Sequence, residues 1–193
     1  MKGIVFTEFL GFVGARYGED AVDDIIGACQ LASGGAYTSV GTYDHAEVFA
    51  LCQALSKSTG EPVADLIRDF GAQLSSTFAK GHPDFFARCN HFFDFLESIE
   101  AYIHKAVRKL YPDAELPTFT VHQRCPTRLV LDYASPRRMG TLAEGLIVGS
   151  ADRFGVQALV RAESLDGGDG QRVRFVIDMP DLRSEAGVAF AYG

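Results

Sequence analysis

Residues 102–123 read YIHKAVRKLYPDAELPTFTVHQ, and the change of texture inside this stretch decides the fold. Up to Leu110 the apolar residues keep helical spacing, with Phe92, Leu96, Ile99, Ile103, Val107 and Leu110 forming one stripe. Pro112 and Pro117 then remove backbone donors and fix φ, so the helix cannot continue. From Thr118 the β-branched and aromatic residues of TFTVHQ read as a strand. The chain therefore divides into a helical front and a mixed back.

Toward the N-terminus the same periodicity predicts five helices, near 2–17, 19–31, 44–57, 61–79 and 84–110. Loop signals at Ser33-Gly34-Gly35, Ser58-Thr59-Gly60 and Gly81-His82-Pro83 separate them, and Pro62 and Pro83 suit helix starts. Toward the C-terminus, strands at 118–123 and 128–133 form a hairpin around Cys125-Pro126, and a helix over 139–152 follows. Strands at 156–162 and 172–177 then flank the turn Asp166-Gly167-Gly168-Asp169-Gly170. The expected architecture is α+β, four antiparallel strands with helices on one side, in a single domain over 1–180 with a tail at 181–193.

Composition narrows the function. The chain has 193 residues, 47% of them hydrophobic, with 18 Lys+Arg against 25 Asp+Glu for a net charge of -7. That balance disfavours binding to a phosphate backbone, so no nucleic-acid partner is expected. Glu8 interrupts the apolar N-terminus and no 18-residue apolar run exists, which predicts a cytoplasmic protein without a membrane segment. Cys29, Cys52, Cys89 and Cys125 are widely spaced and read as reduced thiols. Nucleotide-binding glycine motifs, H-E-x-x-H and G-x-S-x-G are missing, and Asp23-Asp24, Asp113 and Glu115 read as solvated carboxylates. Fifteen Phe beside no Trp is the one oddity.

Two stretches carry candidate chemistry. His104 lies about 100° around its helix from Ile103, beside Phe93 and Glu100, at the border of the apolar stripe. An imidazole there suits a pocket, where a single His is a common axial ligand of haem iron; the plainer reading is a half-exposed helical His, which is all that His45, His82, His91 and His122 receive. In Tyr133-Ala134-Ser135-Pro136-Arg137, alternate residues put a phenol, a hydroxyl and a guanidinium on one face, a set that clamps carboxylates such as haem propionates. Its plainer reading is a strand end with Ser-Pro turn chemistry.

Together, in this order, these stretches resemble the haem-nitric oxide/oxygen binding (H-NOX) family, over roughly residues 1–180. The resemblance also rests on the Met1-Lys2-Gly3 opening, on Val107, Lys109-Leu110-Tyr111 and Leu116-Pro117 after His104, and on Arg138-Met139 and Ala143-Glu144-Gly145-Leu146. It implies the H-NOX fold with a ferrous haem b buried between the helical part and the sheet, His104 as proximal iron ligand and Tyr133, Ser135 and Arg137 on the propionates. It further implies that Pro117 presses on the macrocycle and that Val5, Phe9, Leu74, Phe78, Leu142 and Leu146 line the distal pocket.

Oxygen bound to ferrous haem is stabilised by a hydrogen-bond donor, whereas nitric oxide needs none. Leu142 stands where oxygen-binding relatives have a tyrosine, so the resemblance implies a sensor that binds nitric oxide and carbon monoxide without a stable oxygen complex. Release of His104 would be its trigger, with a histidine kinase or cyclic-di-GMP enzyme as separate partner. No Cys follows Cys125 and no His follows His122, so the structural zinc of some relatives is not expected, and neither is catalysis. The competing readings are an oxygen or redox haem sensor, a haem-independent interaction domain and, last, a haem enzyme such as a peroxidase.

Overall fold

The computed structural model describes residues 1–168 and 170–180; the expected tail at 181–193 and one residue of the turn at 166–170 lie outside them. Four helices open the chain: α1 (Gly3–Tyr17), α2 (Glu19–Gly27), α3 (His45–Thr59) and α4 (Val63–Gly81). The Asp44 carboxylate caps α3 by accepting from the Ala46 N–H at 2.9 Å, and Gly60 ends it in the left-handed region at φ 77°. Helix α2 stops at Gly27, short of the expected 31.

The helix expected over 84–110 is broken. Residues Pro83–Ala87 form α5, the chain turns at 88–91, and helix resumes as α6 (Phe92–Ser98), a π-helical turn (Ile99–Ile103) and α7 (His104–Leu110). Aromatic packing accounts for the break. On one straight helix nine residues span about 13.5 Å of rise, yet the rings of Phe86 and Phe95 stack with centroids 4.4 Å apart. Phe154, which follows α8 (Gly140–Arg153), packs against the same pair and Phe92.

Strands β1 (Thr118–Cys125), β2 (Arg128–Ala134), β3 (Leu159–Ser164) and β4 (Arg172–Asp178) form an antiparallel sheet in the order β1-β2-β4-β3. The third strand starts at Leu159, later than the expected 156, and α8 carries the chain from β2 to it. Alternation decides the buried face: Leu129, Leu131 and Tyr133 pair with Ile177, Phe175 and Val173 and all six are buried. The opposite face pairs Asp132 with Arg174 and Arg128 with Asp178.

Two apolar cores result. The first gathers α1 to α4 with Met139 and Leu142, and the second gathers α5, α6, the sheet, Ala143, Ile147 and Ala151. Helix α8 serves both, one stripe for each. It approaches α4 so closely that a Cβ on Gly71 would lie 2.6 Å from the Leu142 carbonyl oxygen, and one on Gly145 would collide with the Arg68 carbonyl. The Ser75 and Ser150 hydroxyls bond at 2.9 Å across this crossing, and Arg68 pairs with Glu144.

Candidate functional site

His104 opens α7 directly after the π-helical turn, with only 8% of its surface exposed. Its Nδ1 is 2.9 Å from Glu100 Oε2, one helical turn back. Glu100 is also 3.5 Å from Arg108 and accepts from the Phe119 backbone N–H on β1. Burial alone would raise the Glu100 carboxyl, but His104, Phe119 and Arg108 outweigh it and hold it below its usual range. Burial lowers the His104 imidazole from its ordinary value, against the pull of Glu100. The imidazole is thus neutral near pH 7, with Nδ1 donating to the carboxylate, while Nε2 is an acceptor that no described residue bonds and that stays open to solvent. The ring packs on Phe119 with centroids 5.9 Å apart, and Phe119 in turn meets Tyr133 edge-on.

Tyr133 and Ser135 are both buried at the end of β2 and just beyond it. Burial pushes the Tyr133 phenol up, opposed by the Ser135 hydroxyl and the Met139 backbone. Ser135 Oγ accepts from the Arg137 N–H at 3.2 Å, and the Ser135 N–H donates to the Gln171 carbonyl at 2.9 Å. The Arg137 guanidinium meets Glu115 Oε2 at 3.0 Å, and Glu115 is largely exposed. A carboxylate therefore already sits on this cation, as guanidinium chemistry favours. Arg138 follows with φ 56°, a left-handed conformation uncommon for a residue with a Cβ, as the chain swings into α8. The Met1 ammonium donates to the Tyr43 carbonyl at 2.7 Å, and burial and then the Arg137 cation lower it.

The six expected apolar liners fall on three helices as three pairs one turn apart: Val5 and Phe9 on α1, Leu74 and Phe78 on α4, Leu142 and Leu146 on α8. All belong to the first core, with Phe9, Leu74 and Leu142 buried and the other three partly so. The polar groups of this lobe are engaged elsewhere. Tyr17 donates to Glu61, Tyr37 to Glu47, and Thr77 to Glu8, while the Tyr43 hydroxyl accepts from the Thr38 N–H. Pro117 is half-buried between α7 and β1.

Glu100, Phe119 and the N-terminal ammonium were not singled out as site residues by sequence. The spacing of Glu100 to His104 was a usable signal, whereas Phe119 and Met1 arrive through tertiary folding alone. A cleft between α2 and α3, lined by Asp24, Cys29, Gln53 and Lys57 among others, shares no residue with the site.

These residues suit a haem. A buried imidazole has one nitrogen anchored and the other without a partner, a guanidinium already holds a carboxylate, and three helices each bring a pair of apolar side chains to the first core. Among the described residues no three His, Cys, Asp or Glu cluster as an alternative metal site, and no helix is long and apolar enough to cross a membrane.

The haem-NO-binding family model matches residues 2–161. The H-NOX protein of K. algicida, in its Fe(II) unliganded form, is 38% identical and covers 94% of this chain and 97% of its own, with a TM-score of 0.89. An H-NOX protein of S. oneidensis in the Fe(II)NO ligation state is 25% identical over 94% of this chain and 100% of its own, at 0.85. The H-NOX of Shewanella woodyi in the Fe(II)CO ligation state is 34% identical over 100% and 99%, at 0.79. Among curated proteins none matches.

Proposed function

Because the chain belongs to the haem-NO-binding (H-NOX) family of haem-binding gas-sensor domains, we propose that it is a sensor selective for nitric oxide, with His104 as the protein's single tether to the iron of a haem b. The observation that carries this reading is the buried His104, anchored through Nδ1 and without a partner at Nε2. When bound, the haem would supply a ferrous iron able to take a diatomic gas.

The chain's own residues divide the remaining work. Tyr133, Ser135 and Arg137 would orient the propionates, with Glu115 giving way on Arg137. Pro117, in the loop after α7, would bear on the macrocycle. Val5, Phe9, Leu74, Phe78, Leu142 and Leu146 exclude water from the distal side and offer no hydrogen-bond donor. That absence of a donor penalises oxygen far more than nitric oxide or carbon monoxide.

Were His104 to let go of the iron, α7 would be free to shift at the end that follows the π turn. The loop after α7 is fastened to the first lobe, where Asp113 meets Lys2 at 3.0 Å and Thr42 at 3.2 Å, and Lys2 lies over the Tyr111 ring. A shift of α7 thereby reaches the N-terminal helices, where a separate histidine kinase or cyclic-di-GMP enzyme would read it.

Absorption spectra of the reduced, haem-loaded protein test the reading. Nitric oxide and carbon monoxide should each shift the spectrum, whereas air should leave that of the unliganded ferrous form. A persistent new species in air would overturn the assignment of the apolar wall, and a protein that takes up no haem would overturn the whole reading.

A further inference from the structure

Glu100 is fixed from three directions. Its Oε2 is 2.9 Å from His104 Nδ1, its Oε1 is 3.5 Å from both terminal nitrogens of Arg108, and the Phe119 N–H of β1 donates to the carboxylate. A carboxylate that only decorated a helix surface would have no reason to be fastened to a strand. The π-helical turn points the same way. Ile99 and Ile103 at its two ends pack against the second core without being fully buried, and the residue it inserts re-aims the side chains on either side. Those side chains are Glu100, within the turn, and His104, the first residue after it.

Resting on the reading of His104 as the haem ligand, we propose that Glu100 is the positioning residue of that ligand and sets how tightly the imidazole holds iron. By accepting the Nδ1 proton it selects the tautomer that presents Nε2, fixes the ring plane between itself and Phe119, and lends the imidazole anionic character. A more anionic imidazole is a stronger donor to iron. It favours the ferric over the ferrous state and resists release when a gas binds opposite. Arg108 tempers the effect, since its cation draws the same carboxylate away from the imidazole. Glu100 and Arg108 thus act in opposite directions on one bond.

The test uses the haem-loaded, reduced protein and reads the iron-histidine stretching vibration by resonance Raman, together with the midpoint potential. In E100Q, which keeps size and shape, the vibration moves to lower frequency and the potential rises; in E100L both changes are larger. Histidine release on adding nitric oxide, followed by stopped-flow absorption, accelerates by roughly tenfold in E100L, the lower end of what loss of a partner to a metal-bound His costs. R108A shifts the vibration the other way. Circular dichroism of E100Q reports the fold, so that a spectroscopic shift without loss of helix cannot be ascribed to unfolding. An unchanged vibration and potential in both Glu100 variants, with haem still held through His104, overturns the proposal while leaving the haem reading intact. A parent protein without any iron-histidine vibration overturns the haem reading itself, and the role of Glu100 with it.

Discussion

The two sides of the candidate site are built by opposite means. On the side of α1, α4 and α8, the six apolar residues proposed for the distal wall lie as three pairs one helical turn apart in the first core. Their placement depends on how closely the helices approach, which the Gly71, Gly145 and Gly149 backbones permit. On the side of α7, β1 and β2, each functional group has a named partner: His104 has Glu100, Arg137 has Glu115, and Ser135 has the Arg137 and Gln171 backbones. Shape decides the first side and polar pairing the second. The first should therefore tolerate exchange of apolar residues at constant volume but respond sharply to a new donor or an added methyl, and the second should respond to loss of a single atom.

The largest effect is expected on the polar side. His104→Gly removes the one imidazole facing the site, and haem should be retained only with free imidazole added, as judged by the Soret absorbance of the purified protein. Next comes a deliberate breach of the apolar wall. Leu142→Tyr introduces a phenol donor at a position 7% exposed, and a donor to a partly charged ligand is worth about 1.5–3 kcal/mol. The variant should gain oxygen affinity by tenfold or more, read as a new spectrum of the reduced protein in air.

A methyl placed where helices touch should have a smaller effect. Gly145→Ala forces a Cβ into the Arg68 carbonyl, and the overpacking costs about 1–3 kcal/mol in urea unfolding. If it costs nothing, the wall is looser than its geometry implies. The smallest effect is expected on the outer face of the sheet. Asp132 lies below its ordinary value of 3.8, held there first by Arg174 and then by His122, against desolvation. Since its folded value is below its unfolded one, its stabilisation is complete above the unfolded value and is lost as pH falls through the folded one. Asp132→Asn should thus cost less than about 1 kcal/mol at pH 7, because Arg174 is a third exposed, and the difference from the parent should vanish in acid.

The contrast between the two sides also explains what was legible in the sequence. Helices and strands follow from periodicity, so the helical front, the four strands and α8 were readable to within a few residues. The break at 88–91 was not, because 84–110 keeps helical texture throughout and only the stacking of Phe86 on Phe95 and Phe154 forces the chain to turn. The π turn at Ile99–Ile103 was hidden for the same reason, since a one-residue insertion leaves composition untouched. The excess of Phe finds its place here. Phe6, Phe9, Phe12 and Phe70 lie in the first core, and Phe86, Phe92, Phe93, Phe95 and Phe175 in the second.

By itself the sequence determined the α+β class, the order of elements, the family, and the presence of His104 and the Tyr133, Ser135 and Arg137 run, because local periodicity and short spacings are written along the chain. Only the tertiary structure decided that His104 is buried with Glu100 at Nδ1, that β1 pins Glu100 through Phe119, that Glu115 reaches Arg137, and that Lys2 returns to the loop after α7. Apart from the Glu100–His104 pair, one helical turn apart, these contacts join residues far apart in sequence, and no local propensity specifies them. They form when close approach of α4 and α8, and burial on both sides of α8, bring separate elements to one place.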